Sequence, residues 1–302
     1  MGFDLVSTAP SRNLVVVRAG DGSLHETMIP GAVAGWYDLV VSYFGVDPEC
    51  FRTPHENRVD VPGGKWDGLG RTLEELGELQ PRWDYCWLPD DDLDISSQHV
   101  RELFAAMRRH RLTVAQPALS HDSWFTFLQL LRCASFELRW TDGIELMAPC
   151  FATPVLEMVR PLFAHTMSGY GLDSLWSRLE PDNRMRSAVI DTIEMRHTRP
   201  IGGGQLYANM KERGLDPITE MNELLARHGV KPTQFRVHGG LSRSGHPVAR
   251  LTATFIMTMD LIRARAKSPM KKHYFNKLLR LVRQQIAPGP LLGDFSQVKI
   301  DV

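Results

Sequence analysis

The run Pro89-Asp90-Asp91-Asp92-Leu93-Asp94 puts four carboxylates into five positions directly behind the apolar stretch Tyr85-Cys86-Trp87-Leu88. Carboxylates crowded in this way repel one another and cost desolvation when buried, so a compensating cation is needed. Mg²⁺ and Mn²⁺ favour such oxygens and keep positions for water and phosphate. An ion held there would neutralise charge building on a departing diphosphate. In extended chain Asp90 and Asp92 point to one side and Asp91 to the other, which makes Asp90 and Asp92 the candidates for metal or ribose contact. The rival is a solvated acidic loop, the commoner fate of an arbitrary acidic run.

The elements that must position this run alternate along the chain. Short β-branched runs at 13–18 (Leu14-Val15-Val16-Val17) and 38–44 (Leu39-Val40-Val41) read as buried strands ended by glycine-bearing loops. Pro62-Gly63-Gly64-Lys65-Trp66-Asp67-Gly68 then feeds a helix carrying Leu69, Leu73, Leu76 and Leu79, closed by Pro81. A third strand, 85–88, leads into the acids, the end of a strand being where α/β sheets place their chemistry. Ser96 or Ser97 caps a helix with Val100, Leu103, Phe104 and Met107 on one face, and 112–117 is a further strand. The expected fold is therefore α/β, a mostly parallel sheet flanked by helices. Beyond Gly204 only helical periodicity is read, with Leu224-Leu225, Leu251, Phe255, Met259, Ile262, Phe275, Leu278 and Val282, so 1–205 is expected as the catalytic domain and 206–302 as a helical extension. Gly202-Gly203-Gly204 is read as a flexible exit from that domain.

At 302 residues and 43% hydrophobic content the chain can bury a full core. Lys and Arg total 35 and so do Asp and Glu, which leaves no overall field toward nucleic acid. The four cysteines form no CxxC pair, which disfavours zinc and dithiol chemistry and fits reduced thiols in a cytoplasmic protein. No leader pattern and no run of ~20 apolar residues suggests secretion or a membrane span.

Several segments occur in order: Trp87-Leu88-Pro89-Asp90-Asp91-Asp92-Leu93, Ala115-Gln116-Pro117-Ala118-Leu119, Ile144-Glu145-Leu146-Met147-Ala148-Pro149-Cys150-Phe151, Gly169-Tyr170-Gly171-Leu172-Asp173, and Val189-Ile190-Asp191 leading to His197 and Pro200. Together, over roughly residues 60 to 205, they resemble the GT-A-type glycosyltransferase-like family known as domain of unknown function 707. The resemblance implies a nucleotide-sugar fold with a DxD-type metal site formed by Asp90 and Asp92, His197 as a late metal ligand, and Mn²⁺ or Mg²⁺ as cofactor. It also implies an inverting transfer in which Asp173 takes the acceptor hydroxyl proton, with Glu145 on the acceptor side. Rival readings are a surface histidine beside Arg196 and Arg199, and a helix N-cap at Asp173. Trp124, Trp140 and Trp176 could stack on sugar rings, although such aromatics are more often core.

For the donor, Arg18, Asp21, Lys65 and Asp67 lie on loops that would cradle base, ribose and diphosphate, joined by Asp90 and Asp91. Neither a Walker A loop nor GxGxxG after a strand is present. The acceptor is expected to be a saccharide or a lipid-linked molecule. Eight cations and no acid lie between Arg263 and Arg283, either a solvated helix face or a peripheral contact with an anionic membrane. Two other functions compete. A phosphohydrolase of haloacid-dehalogenase type would need DxDx[ST] directly after an early strand, and a non-catalytic nucleotide-sugar scaffold would need none of Asp90, Asp92, Asp173 and His197.

Overall fold

The computed structural model describes residues 12–176, 186–201, 214, 216–230 and 235–287. The boundary expected at 205/206 and Gly202-Gly203-Gly204 lie outside them. Strands β1 (Asn13–Ala19), β2 (Asp38–Tyr43), β3 (Asn57–Asp60) and β4 (Tyr85–Trp87) run parallel in the order β3-β2-β1-β4. Every residue of Leu14-Val15-Val16-Val17 and Leu39-Val40-Val41 is buried, because helices cover both faces of this half. Helix α1 (Ile29–Val33) follows β1, and α2 (Lys65–Leu76) follows β3. Strand β4 passes into the acid run, where the backbone of Asp90 makes an isolated parallel β-bridge with that of Arg18 near the end of β1.

The two-residue strand β5 (Leu93–Asp94) and helix α3 (Ser97–His110) come next. Ser96 is the N-cap, its hydroxyl accepting from His99 N at 3.2 Å, and Arg111 at φ 50° ends the helix. The other half of the sheet is built by β6 (Val114–Leu119), β7 (Phe136–Thr141), β8 (Cys150–Ala152) and β9 (Ser187–His197). Between β8 and β9 lie α4 (Thr153–Val159) and α5 (Leu172–Trp176). β9 runs parallel to β6 and antiparallel to β7 and β5; β8 is inserted antiparallel between β4 and β6. The register of β6 on β9 jumps from Pro117↔Ile190 to Ala118↔Glu194, so Asp191, Thr192 and Ile193 bulge out of the ladder.

The segment after residue 216 holds α6 (Pro217–Arg227), α7 (Arg250–Ala264) and α8 (Lys271–Ile286), the helices that its periodicity foretells. It also holds a hairpin where no strand was read, β10 (Val237–Ser242) and β11 (Pro247–Ala249), with β10 added to β7. Gly239-Gly240 hides it from a propensity reading, yet the sheet needs this close backbone: a Cβ at Gly240 would sit 2.5 Å from Leu138 O. Two apolar cores lie on opposite faces of the sheet. One packs α3, α7 and α8 through Val100, Leu103, Met257, Leu261, Tyr274 and Leu278, the other α2, α4, α5 and α6.

Candidate active site

The acids do not continue β4 as extended chain: Asp90 closes an isolated β-bridge and Asp91-Asp92 form a turn before β5, and it is this turn that spreads the carboxylates. Asp91 turns one way: Gly20 N donates to its Oδ2 at 2.9 Å and Arg199 to its Oδ1 at 3.2 Å. Asp90 and Asp92 turn elsewhere. Lys65, the first residue of α2, places its Nζ 2.7 Å from Asp90 Oδ1 and also donates to Leu146 O at 2.5 Å. Burial pushes the Asp90 carboxyl above its ordinary range, with Lys65 opposing and Asp92 adding to the shift.

His197 closes β9, and the antiparallel pairing Leu93↔His197 draws it to the acid run. Its Nδ1 donates to Trp124 O at 2.9 Å, so Nε2 is the nitrogen presented to Asp92 Oδ2 at 3.2 Å. Burial alone would lower the imidazole pKa, but the hydrogen bond and charge of Asp92 lift it to about 9. Asp92 Oδ1 is buried with no hydrogen-bond partner. An orphaned carboxylate oxygen costs roughly 1–3 kcal/mol or more unless something binds it.

Glu145 and Asp173 arrive from two further segments. Glu145 is buried; its backbone N donates to Gln116 Oε1 at 2.7 Å and its side chain bonds Thr126. Burial raises its carboxyl to about 7, and the charges of His197, Asp173 and Asp90 all act on it. Asp173 sits in the first turn of α5, behind Gly169 and Gly171, both at positive φ (76° and 96°). Ser174 N donates to its Oδ1 at 2.9 Å, a bond to the adjacent residue made from within the helix, which begins at Leu172, so Asp173 is not the N-cap of the rival reading. Burial nonetheless outweighs these bonds and raises it to about 7 as well.

The remaining expected residues divide. Arg18 is buried and donates to Gly64 O, Gly63 O, Ser42 O and Ser42 Oγ at 2.9–3.2 Å, so it pins the glycine loop rather than reaching outward. Asp67 pairs with Arg71 at 3.2 Å through Oδ2 and leaves Oδ1 buried without a partner. Asp21 accepts from Tyr43 OH and from Val46 N at 3.1 Å, which caps the turn after β2 and turns it away from the acids. Beside it lies a cavity of about 280 Å³ lined by Tyr43, Phe44, Val46, Arg58 and Pro62. Gly20 separates this cavity from the acid run: a Cβ there would lie 3.0 Å from the Phe44 ring and 3.6 Å from Asp91 Oδ2. Trp176 is fully buried, packed against Trp66 and Phe151, which removes it as a sugar platform.

Sequence reasoning counted Lys277 only among the cations of the basic tail and did not bring it to the site. Its Nζ donates to Thr126 O at 2.8 Å, and the charge of Glu145 acts on it. Ser123, whose Oγ accepts from His197 N at 3.1 Å, escaped notice. The basic run of the C-terminus was the one signal for Lys277; nothing local marks Ser123.

The donor types suit a divalent ion, and a Trp124 carbonyl that fixes Nδ1–H is the support a ligating imidazole usually has. Among the described residues no three His, Cys, Asp or Glu side chains converge as a ready-made cage. The fit is that of an open site, in which one or two carboxylates hold the ion and ligand oxygens complete its shell.

No family model matches the chain, and neither does any curated protein. Among solved structures it is similar to GalNAc-T7 with UDP, GalNAc and Mn²⁺, at 8% identity and a TM-score of 0.45 over 64% of this chain and 44% of that one. It is also similar to S. aureus TarS, at 14% identity and 0.41 over 90% of this chain and 54% of that one. A third is S. aureus TarS 1-349 in complex with UDP-GlcNAc, at 13% and 0.45 over 91% and 90%. The chain thus spans about half the length of the first two. Identities this low leave residue roles to the geometry of this chain. The class of fold expected from the sequence, an α/β sheet flanked by helices with further helices after it, is the one observed.

Proposed function

We propose that the chain is a metal-dependent GT-A-type glycosyltransferase, moving a sugar from a nucleotide-sugar donor to an acceptor hydroxyl with inversion. The observation that carries this reading is the seating of the His197 imidazole, Nε2 3.2 Å from Asp92 Oδ2, beside the Asp90–Lys65 pair, with Asp92 Oδ1 and Glu145 Oε2 buried and lacking a partner. A solvated acidic loop would have no such oxygens and no imidazole turned into it.

Asp90, Asp92 and His197 are the residues that would hold Mn²⁺ or Mg²⁺, which when bound stabilises negative charge on a leaving diphosphate. His197 must give up the proton that Asp92 sustains before it can ligate, so ligation releases a proton. Lys65 carries its positive charge beside Asp90, where it can follow a phosphate oxygen. Gly20 and the neighbouring cavity leave room for the donor's base, and Asp21 and Arg18 hold the two loops that frame it. At the other end Asp173 takes the proton from the acceptor hydroxyl; a carboxyl near 7 is matched to that task at neutral pH. Glu145 stands between the two ends and orients the acceptor.

Thermal shift tests this directly. UDP or GDP should stabilise the chain only with Mn²⁺ or Mg²⁺ present, by about 2.7 kcal/mol at a hundredfold excess over Kd, and Asp92→Asn should abolish the response. Stabilisation by inorganic phosphate in place of the nucleotide would instead favour a phosphohydrolase, and no response to either would sink both.

A further inference from the structure

Helices α7 and α8 form an antiparallel pair: Arg250 donates to Gln285 O at 2.6 Å and Tyr274 OH to Leu261 O at 2.8 Å. Each buries one face in the same core, through Ala253, Met257 and Leu261 on α7 and Tyr274, Leu278 and Leu281 on α8. Each also carries an apolar stripe on its solvent side, with the same spacing of four and then seven residues. On α7 it is Leu251, Phe255 and Ile262; on α8 it is Phe275, Leu279 and Ile286. Four and eleven steps of 100° fall within one narrow arc, so each set lines a single side of its helix. Phe255 is 67% exposed and Phe275 56%, and these two helices hold six of the twelve large exposed hydrophobics among the described residues. Such a concentration marks an interaction face.

Charge identifies the occupant. Residues 250–287 contain nine Lys and Arg and one acid, Asp260, in a chain that is neutral overall. Arg265, Lys267, Lys271, Lys272, Arg280 and Arg283 are all exposed. On α8, Lys272 and Arg283 lie within about a quarter turn of the apolar stripe by helical geometry. A second copy of this face would bring like charges together. A bilayer with anionic headgroups offers opposite charge at the surface and hydrocarbon beneath, the match that a basic amphipathic helix requires. No described helix is long and apolar enough to cross a membrane, so the contact lies on the surface.

We infer that the α7–α8 face docks on an anionic membrane surface, the six apolar side chains entering the headgroup layer and the flanking cations pairing with lipid phosphates and carboxylates. The inner side of α8 sends Lys277 to Thr126, beside Glu145, so the docked face adjoins the candidate site.

The full chain should pellet with equimolar phosphatidylcholine–phosphatidylserine vesicles at least tenfold more tightly than with phosphatidylcholine alone, and added salt should release it. Phe255→Ser with Phe275→Ser should weaken binding by roughly tenfold or more. Arg280→Gln with Arg283→Gln should weaken it by roughly fivefold per cation. All four positions are exposed, so unchanged melting curves will certify folding. Equal binding to both vesicles, or none by the parent chain, would overturn the proposal. So would a concentration-dependent dimer dispersed by the Phe variants, or heparin binding as tight as vesicle binding and indifferent to them.

Discussion

Two buried charge clusters lie in this sheet, and they differ in what they leave unsatisfied. In the first, Arg139 on β7 meets Asp191 on β9 with both side chains fully buried: Nε to Oδ2 at 2.7 Å and Nη2 to Oδ1 at 2.8 Å. Gln129 O and Leu131 O take further Arg139 protons, and Cys133 N donates to Asp191 Oδ1 at 2.7 Å. Burial opposes the Arg139 charge, but Asp191 more than offsets it and raises the guanidinium above its usual range. The second cluster, at the ends of β4 and β9, pairs Asp90 with Lys65 and Asp92 with His197, yet Asp92 Oδ1 and Glu145 Oε2 stay without partners. A closed network fixes a register; an open one keeps acceptors in reserve for a ligand.

Breaking the closed cluster should have the largest effect. Arg139→Met leaves Asp191 charged, buried and unpaired, and should cost about 3–5 kcal/mol in urea denaturation. Asp92→Asn relieves crowding but removes the partner of His197, which can shed its proton and so leaves no buried charge, and the same measurement should find a clearly smaller loss; a loss like that of Arg139→Met would erase the distinction between the clusters. Asp173→Asn should keep donor binding and lower turnover about a hundred- to a thousandfold; full activity in that variant would refute its role as base.

The pH dependence sharpens the same contrast. As the proposed base Asp173 must be ionised, so kcat/KM should fall about tenfold per pH unit below about 7. Stability should move the other way. Asp173 and Glu145 hold their protons longer folded than unfolded, so their contribution is full at acid pH and lost as pH rises to about 7. Glu145→Gln should flatten that decline in melts taken across this range. Smallest of all, Lys65→Met should weaken nucleotide binding by about tenfold with little change in turnover, the worth of one charge-assisted bond.

Much of this was readable beforehand, for physical reasons. The parallel half announces itself because strands buried on both faces are continuous apolar runs. Ser96 and the face of α3 follow from capping and periodicity. Strand β7, Phe-Glu-Leu-Arg-Trp-Thr, is disguised by Arg139, whose burial depends on a partner more than fifty residues away, and β10 by its glycines. At the site, residue types and spacing marked the acids, and the family resemblance pointed to His197. They could not tell that Arg18, Asp21 and Asp91 spend their polar atoms on loops, since those partners come from other segments.

The bulge at Asp191, Thr192 and Ile193 decides which way the end of β9 faces. Side chains on a strand alternate, so shortening it by one residue would invert the parity of everything downstream and swing the imidazole of His197 to the far side of the sheet. Removing two would restore parity but draw the ring back along the edge. Insertions and deletions in these three residues would thus part the imidazole from Asp92 without touching either side chain.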